Sequence, residues 1–468
     1  MSYFEVPKRI CSAEVRGLFG AWIHTVRFRE GSPTILTAPN GAGKTHILML
    51  IRAVVSLDAK ALFGLPFEQV SIDLSNSVRI KVSRSLIESS AQLVFSAYRH
   101  GAQLGSDFIV REGDILDDEK TLPSYIRQMP DGRWLDRRSE RIYSTLALER
   151  RFNIRFKHSP RVLFAEFPEI LACVKGVDAA LIDTQRLNSW STVVPEYRRD
   201  VDVVRSSMAS IPGMDDISSI GQYIGEIRSQ IVEARRDSVA ATQNADFSFA
   251  VRALASANNT VRESNLRKRY EAIAADYQDL RKNGLAAGDA PLEFPEKTTP
   301  TVRRILDVFL DDWEQRLAPL LPLNEKIAAL RSILDTKLAQ SGKSTKINPR
   351  GVLEFFAEDR RKIGVANLSS GEQHLVALFT LLLFSASPGS IVLIDEPEIS
   401  MHAAWKHSFL EDIATVASIK NLQIIIATHS TSIINGKWEI VEELEFNRDP
   451  DATQTSTEEA LTGELWDE

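Results

Sequence analysis

Cysteine, net positive charge and long apolar runs are all scarce in this chain. Its 468 residues include two cysteines, Cys11 and Cys173, whose spacing fits no metal site and whose rarity fits a reducing cytosol. The longest apolar run, Leu375 to Phe384, is too short to span a membrane, which needs about 20 residues. No apolar stretch follows Lys8 and Arg9, as it would in a signal peptide. We therefore expect a cytoplasmic protein with no membrane partner.

The bulk composition is that of a globular protein. An apolar content of 44% and a charged content of 25% are ordinary, and the length allows two or three domains. The net charge of -7 at pH 7 gives no support to non-specific binding of duplex DNA over the whole surface, although local basic patches are compatible with it. A nucleic-acid partner is therefore not favoured.

A phosphate-binding loop stands near the start of the chain. Its residues are Ala38-Pro39-Asn40-Gly41-Ala42-Gly43-Lys44-Thr45. They match the pattern G-x-x-x-x-G-K-[ST] except at Ala38, and they lie between an apolar strand and an apolar helix, the context that this pattern requires. Lys44 would reach the β- and γ-phosphates and Thr45 would ligate Mg²⁺. We predict that residues 40–45 bind ATP.

Three more motifs follow over 300 residues later. In order they are Leu368-Ser369-Ser370-Gly371-Glu372-Gln373, Ile391-Val392-Leu393-Ile394-Asp395-Glu396-Pro397 and Ala427-Thr428-His429-Ser430. A buried strand ending at Asp395 would place this carboxylate beside the phosphates, where it holds Mg²⁺ through water. Glu396 can orient the attacking water and take its proton, with a structural ion pair as its alternative role. His429, at the end of the next apolar strand, can sense the γ-phosphate.

The first of these motifs precedes an apolar helix. Small residues at a helix N-terminus form an anion site. Because the chain already has a complete phosphate loop, we expect Ser369, Ser370, Gly371 and Glu372 to bind the ATP of another subunit. The sequence thus predicts two half-sites per chain, which meet in a head-to-head dimer or a higher even oligomer.

Sequence patterns divide the chain into four parts. Residues 1–190 combine the phosphate loop with alternating stretches that predict an antiparallel sheet. Residues 200–345 are helical and charged, and residues 346–448 return to an α/β pattern. Residues 449–468 are expected to form an acidic disordered tail, or alternatively a docking peptide anchored by Trp466. The predicted fold class is α/β with a helical insertion.

Two apolar repeats in the helical part predict an antiparallel, coiled-coil hairpin. Its seam residues are Leu266, Tyr270, Ile273, Tyr277 and Leu280, then Leu323, Ile327, Leu330 and Leu334. The Gly- and Pro-rich segment 283–300 is the predicted tip, and an arm of roughly 30–40 Å at 1.5 Å per residue excludes long rods. The basic stretch 131–161 predicts a solvated helical face, or alternatively a site for an acidic partner.

Together the four motifs resemble the ABC-type ATPase heads of the RecF/SMC/OLD group. The resemblance covers residues 1–190 and 346–440, the two lobes of such a head, with the helical insertion between them. It implies that a glutamine after a strand of the first lobe senses Mg²⁺, and Gln185 is the candidate. Glu398-Ile399-Ser400-Met401-His402 is similar to the Pro-Glu-Ile-Ser-Leu-His pattern of this soluble branch, whereas Ser370 replaces the usual glycine of the signature. No aromatic residue stands out as a platform for adenine.

Within this group the second lobe is most similar to ATPases of bacterial anti-phage defence, first the ATPase subunit of the PARIS system and then Septu-type and OLD-type ATPases. This resemblance implies an ATP-hydrolysing sensor that holds a Toprim-type nuclease inactive and releases it when a phage-encoded trigger, such as an anti-restriction DNA mimic, appears. OLD nucleases carry a Toprim domain after the ATPase. Only 39 residues follow His429 here, so the nuclease effector is expected on a separate chain.

Two other functions are alternatives to the role of a defence sensor. A RecF-like DNA-repair ATPase would clamp duplex DNA in an ATP-dependent way, but the negative net charge and the short predicted arm argue against it. A transporter ATPase has no place for a helical insertion between its lobes.

Overall fold

The structure is a computed structural model. It describes residues 8–20, 22–29, 31–87, 90–114, 123, 125–128, 134–136, 138, 141–143, 163–183, 219–256, 261–288, 294–444 and 447–448. Gln185, the acidic tail 449–468 with Trp466, and most of the basic stretch 131–161 lie outside these residues. No helix in the described ranges is long and apolar enough to cross a membrane.

An antiparallel sheet forms one side of the head. Its strand order is β19-β2-β1-β4-β5-β6-β7, with β8 beside β6. Alternate residues of β4 are buried, as its period-two apolar pattern requires. The bounds are β1 Ile10–Leu18, β2 Trp22–Arg27, β4 Gln69–Leu74, β5 Val78–Ile87, β6 Ser90–Arg99, β7 Ala102–Gln103, β8 Phe108–Arg111 and β19 Asn447–Arg448.

A parallel sheet of order β12-β16-β17-β3-β18 forms the centre of the head. The strands β16 and β17 are buried throughout, because one face meets the core under the antiparallel sheet and the other meets the helices. The sheet combines strands from both parts of the chain, with β16 and β17 lying between β12 and β3. The bounds are β3 Thr34–Thr37, β12 Ala179–Asp183, β16 Ile391–Asp395, β17 Gln423–Ala427 and β18 Val441–Glu443.

Short helices complete the head. The helix α1 lies between the two sheets, in contact with β4 on one side and with β12, β16 and β17 on the other. The helix α8 continues as one π turn to Ser385. The bounds are α1 Lys44–Val55, α2 Ala59–Phe63, α3 Pro168–Val174, α8 Ser370–Thr380, α9 Ala403–Lys406, α10 Phe409–Lys420 and α11 Thr431–Ile434. The predicted α/β head with a helical insertion is thereby confirmed.

Two small antiparallel sheets flank the head. One contains β10 and β11, which fall within the basic stretch, so the predicted helical face is wrong for those residues. The other contains β13, which follows the insertion directly. The bounds are β9 Ile126–Gln128, β10 Trp134–Asp136, β11 Arg141–Tyr143, β13 Lys343–Ile347, β14 Leu353–Ala357 and β15 Lys362–Ile363.

The insertion has four helices within its described residues, not the two of a simple hairpin. They are α4 Ser219–Ala255, α5 Glu263–Lys282, α6 Pro300–Leu317 and α7 Leu321–Leu338. The first half of α4 packs into the core of the head through buried isoleucines spaced four and three residues apart. With 37 residues, α4 is about 55 Å long at 1.5 Å per residue, which is longer than the predicted arm.

The described part of the segment 283–300 begins beside the head, so the predicted tip is wrong for residues 283–288. Gly284 has a φ of +73°, and a Cβ there would lie 2.7 Å from the carbonyl oxygen of Ile347. Leu285 next to it is buried. Residues on both sides of the gap at 289–293 contact α5, since Tyr277 donates to the carbonyl of Ala287 and Tyr270 lies edge-on to Phe294. The glycine therefore marks a close backbone contact with the head, a use that composition alone does not distinguish from a free turn.

Candidate functional site

Three parallel strands end at one edge of the central sheet, and each carries a motif there. Asp395 at the end of β16 is in register with Ala427 of β17, which is in register with Leu36 of β3. The phosphate loop, the two consecutive carboxylates and His429 therefore meet at the carboxyl edge of the sheet, where ligands bind in open α/β sheets.

The phosphate loop has the backbone that its glycines permit. Gly41 and Gly43 have φ of +84° and +90°, values that favour glycine. A Cβ on Gly43 would lie 2.5 Å from Leu18 Cδ2, so packing also requires a glycine there. Ala38 has no positive φ, which explains why alanine is accepted at the first position. Asn40 and Gly41 are exposed, whereas Ala42 is buried under the loop.

Lys44 begins α1 and is 6% exposed. Its Nζ donates to the carbonyl oxygen of Ala38 at 2.9 Å and lies 3.7 Å from Glu396 Oε1. The backbone N–H groups in the first turn of a helix have no partner within the helix. Positive charge and free N–H groups thus coincide at this helix end, which suits the phosphates of a nucleotide.

Thr45 and Asp395 lie together although 350 residues separate them. The Thr45 hydroxyl donates to Asp395 Oδ2 at 2.7 Å. Burial raises the pKa of Asp395, as does the charge of Asp183 on β12, while the Thr45 hydrogen bond opposes the shift. Hydroxyl and carboxylate oxygens are the ligands that Mg²⁺ prefers, so this pair fits the predicted metal role. The sequence interpretation missed Asp183, which is in register with Asp395.

Glu396 follows β16 in a left-handed conformation, with a φ of +45°. Its N–H donates to the carbonyl oxygen of Ala427 at 2.9 Å, and its Oε2 lies 2.6 Å from His429 Nδ1. Burial raises the pKa of Glu396, and the neighbouring Glu398 raises it further. Strained backbone and a raised carboxylate pKa are both common where a group acts as a base.

Glu398 is a second buried carboxylate that the sequence interpretation gave no role. Its Oε1 accepts hydrogen bonds from the Thr428 hydroxyl and, at 3.1 Å, from the His429 backbone N–H. It thereby positions the loop that carries His429. Ligand atoms of Glu396, Glu398 and His429 lie within 4.8 Å of one another, close enough for one cation. Its sequence signal was its place in the stretch Glu398 to His402, which resembles a pattern of the soluble branch but assigns no role to the carboxylate.

The signature turn, residues 368–372, starts α8. Ser369 is the N-cap and forms a reciprocal capping box with Glu372. Ser369 and Ser370 are exposed and Gly371 is half-buried, as a site for another subunit requires. Glu372 is 3% exposed, and its carboxylate accepts from Lys343 and Ser341. The carboxylate of Glu372 is therefore bonded within its own subunit, and the predicted contact of Glu372 with ATP stays a prediction.

The two half-sites are supported by different parts of the head. The helix α8 packs against α7 and against the turn Pro397–Ser400 that follows β16. Hydrogen bonds to the signature turn come from Ser341, Lys343 and Gln373, all in the second half of the chain. None of these three hydrogen bonds involves Lys44, Thr45 or Asp395.

Phe19 is an aromatic residue beside the phosphate loop that the sequence interpretation overlooked. It is 47% exposed and has a φ of +53°. Its ring lies edge-on to that of His46, with centroids 4.9 Å apart, and its Cε2 would be 3.2 Å from a Cβ on Gly43. Exposed aromatic faces stack on nucleic-acid bases of any sequence. One phenylalanine in a strand-to-strand turn carries no sequence signal for this role.

Comparisons with known proteins gave a family match and several similar solved structures. A family described as "AAA domain, putative AbiEii toxin, Type IV TA system" matches residues 220–435. Among curated proteins nothing matches. The chain is similar to the Smc head domain of Pyrococcus furiosus, solved with an extended coiled coil and bound to the C-terminal domain of ScpA. That match has 13% identity, 94% coverage of both chains and a TM-score of 0.35.

The SMC head domain of Thermotoga maritima is also similar, with 10% identity, coverage of 94% of this chain and 96% of that one, and a TM-score of 0.31. The fold assignment rests on the phosphate loop and the parallel sheet of this chain. These give a P-loop head of the ABC type with a helical insertion.

Proposed function

We propose that the protein binds and hydrolyses ATP. The observation that carries this proposal is a continuous chain of contacts at one sheet edge, from Thr45 to Asp395 and from Lys44 through Glu396 to His429. Each group has the chemistry that phosphoryl transfer to water needs: a cation for the phosphates, oxygen ligands for a metal, a base, and a polar side chain next to that base.

The roles follow from charge and position. Lys44 and the first turn of α1 neutralise the phosphates. Thr45 and Asp395 would hold Mg²⁺, which would supply further positive charge to the phosphate oxygens. Gln185 is the third residue proposed to hold this metal. Glu396 orients a water molecule and takes its proton. His429 lies beside Glu396 at 2.6 Å and contacts the γ-phosphate. Phe19 stacks on the adenine.

The active unit contains two copies of the chain. Ser369, Ser370 and Gly371 of one copy contact the phosphates bound to residues 40–45 of the other. Support comes from the exposed N-terminus of α8, whose small residues and N–H groups form an anion site. Two equivalent sites then close on two nucleotides in a head-to-head dimer, and larger even assemblies repeat this contact.

The substitution Glu396→Gln tests this function. It removes the base and keeps the shape of the side chain, so ATP should still bind while kcat falls by about 10²–10⁴-fold. The ATP-bound dimer should then accumulate in size-exclusion chromatography with light scattering. Glu411→Gln, at a side chain that is 69% exposed, is the matched control and should behave as the parent. Hydrolysis at the parent rate by the Glu396 variant contradicts the assignment of the base.

In the cell this ATPase serves as a sensor and scaffold of anti-phage defence. It holds a separately encoded Toprim-type nuclease inactive and releases it on meeting a phage-encoded trigger such as an anti-restriction DNA mimic. Support comes from the sequence resemblance to PARIS-type ATPases and from the matching family, whose description names a toxin and a Type IV TA system. The described residues also form a head and an insertion with no nuclease domain.

Co-expression with the neighbouring genes tests the defence role. A tagged chain should retain a nuclease encoded beside it, and adding the trigger should release that nuclease in active form. A neighbourhood without a nuclease gene contradicts the proposal. ATP-dependent binding of duplex DNA that weakens steeply with salt would instead favour a RecF-like clamp.

A further inference from the structure

The carboxylate of Glu372 is bound from three directions. Lys343 Nζ donates to both of its oxygens, at 2.8 and 2.7 Å. The Ser341 hydroxyl donates to Oε1 at 2.8 Å, and the Ser369 backbone N–H donates to Oε2 at 2.8 Å. Burial alone raises the pKa of Glu372, but these hydrogen bonds outweigh burial and lower the pKa overall. Glu372 is therefore an ionised, fully bonded group inside the protein.

Two of these donors come from the connection between the insertion and the second lobe. The helix α7 ends at Leu338, Ser341 closes the following 3₁₀ turn, and Lys343 is the first residue of β13. Thr345 of β13 donates through its N–H and its hydroxyl to Asp335 in the last turn of α7, at 2.6 and 2.7 Å. The connection is thereby fixed to the helix that precedes it.

The remaining bonds of Glu372 set the shape of the signature turn. Ser369 receives the Glu372 N–H on its hydroxyl oxygen and donates its own N–H to the Glu372 carboxylate. This arrangement leaves the side chains of Ser369 and Ser370 on the surface. The surface that would bind ATP thus depends on the ion pair between Glu372 and Lys343, and Lys343 belongs to the connection after α7.

We propose that Lys343, assisted by Ser341, is a positioning residue of the two-copy ATP site. It keeps the signature turn in the shape that receives the phosphates of the other subunit, so that α7 and this turn move as one body. The proposal rests on the proposed function, because it requires the composite site. A purely structural Lys343 would instead stabilise the fold without a specific effect on ATP-driven assembly.

Lys337, in the last turn of α7, provides a matched control. It is 3% exposed, and its Nζ binds Asp412 at 2.5 Å and Ser408 at 2.7 Å. Both partners belong to the second lobe and neither lies in the signature turn. Each of these substitutions, Lys337→Met and Lys343→Met, therefore breaks an ion pair that contains a buried residue and that joins the insertion or its connection to the second lobe. Only Lys343→Met removes a contact of the signature turn.

The experiment compares Lys343→Met, Lys343→Arg and Lys337→Met in the Glu396→Gln background. A fluorescent ATP analogue measures nucleotide affinity at dilute protein, ATP-dependent sedimentation measures assembly, and a thermal melt measures stability. Lys343→Met should keep the nucleotide affinity and assemble about tenfold more weakly. Lys343→Arg should assemble nearly as the parent, because guanidinium also donates two hydrogen bonds to one carboxylate. Lys337→Met should melt earlier and assemble normally.

Normal assembly of Lys343→Met, or equal weakening by Lys337→Met, overturns the proposal. If Lys343→Met does not fold, the double variant Glu372→Gln/Lys343→Met replaces it, since it has no unpaired buried carboxylate and glutamine retains the capping box. That variant should fold and still assemble weakly; normal assembly counts against the positioning role. A Glu396→Gln parent that binds ATP without assembling overturns the two-copy site itself, and the positioning role with it.

Discussion

The two half-sites of the head are built in different ways. At the phosphate loop, polar groups from three strand ends contact one another, and Glu396 and His429 keep part of their surface exposed. At the signature turn, the exposed serines do not carry charge, and the charged groups Glu372 and Lys343 lie behind them. The first half-site has the charged and polar groups for the proposed binding and hydrolysis of ATP. The second has an uncharged surface that is supported by the buried ion pair between Glu372 and Lys343.

From this difference we expect the phosphate loop to govern nucleotide binding and hydrolysis, and the signature turn to govern the assembly of two subunits. Substitutions at the phosphate loop should change how one isolated subunit binds and hydrolyses nucleotide. Substitutions behind the signature turn should change how two subunits meet, with the single-subunit affinity unchanged. Three experiments on the phosphate-loop half-site test this expectation, in addition to those on Lys343.

The largest effect is expected from Lys44→Ala. It removes the buried ammonium group that lies against Ala38 and Glu396. A hydrogen bond to a charged group contributes about 1.5–3 kcal/mol, so ATP affinity at dilute protein should fall by roughly 10- to 150-fold. Isothermal titration calorimetry measures this loss. Unchanged affinity, with only assembly impaired, would contradict the expected roles of the two half-sites.

Phe19→Ala should have a smaller effect on the same measurement. Stacking on a base contributes about 1–3 kcal/mol, so ATP affinity should fall while affinity for inorganic tripolyphosphate stays constant. Phe19→Trp keeps an aromatic face and serves as the control. An equal loss of affinity for both ligands would show that Phe19 supports the loop through Gly43 and His46 instead of binding the base.

The smallest effect is expected in the dependence of ATP hydrolysis on pH. Glu396 accepts a proton only when ionised, so hydrolysis should fall as the pH drops through its pKa. Burial first and Glu398 second raise that pKa, so the acid limb of kcat/KM should lie above the ordinary value for glutamate, about 4.3. Glu398→Gln removes the second cause and should move the limb to lower pH. A limb that stays in place in this variant would mean that the titrating group is not Glu396.

The sequence was most informative where chemistry is local. Strand-end motifs such as Asp395-Glu396 combine an apolar run with the functional residue that follows it, so both the element and the site residue could be predicted. The phosphate loop was predictable for the same reason. Phe19 contacts His46 of α1 and Asp183 is in register with Asp395 of β16. Both contacts join residues far apart in the chain, and neither residue has a local pattern that marks it.

Two residues show a common physical limit of the sequence. Gly284 belongs to the segment predicted as the tip of the hairpin, but it lies against the backbone of Ile347. Glu372 belongs to the signature motif predicted to bind ATP, but its carboxylate binds Ser341 and Lys343 inside the protein. In both cases the residue type was consistent with two environments, and only the fold decided between exposure and burial.

The strand order of the central sheet has a consequence for biosynthesis. β16 and β17, from the last part of the chain, lie between β12 and β3, from the first part. A nascent chain that has been synthesised only to the end of the insertion has β12 and β3 without the two strands that lie between them. Both strands then expose unpaired edges and apolar residues. The head can close only when residues 391–427 have left the ribosome. Chains truncated before this point should therefore aggregate or be degraded, so that only translation past residue 427 yields a phosphate loop with Asp395 and Glu396 beside it.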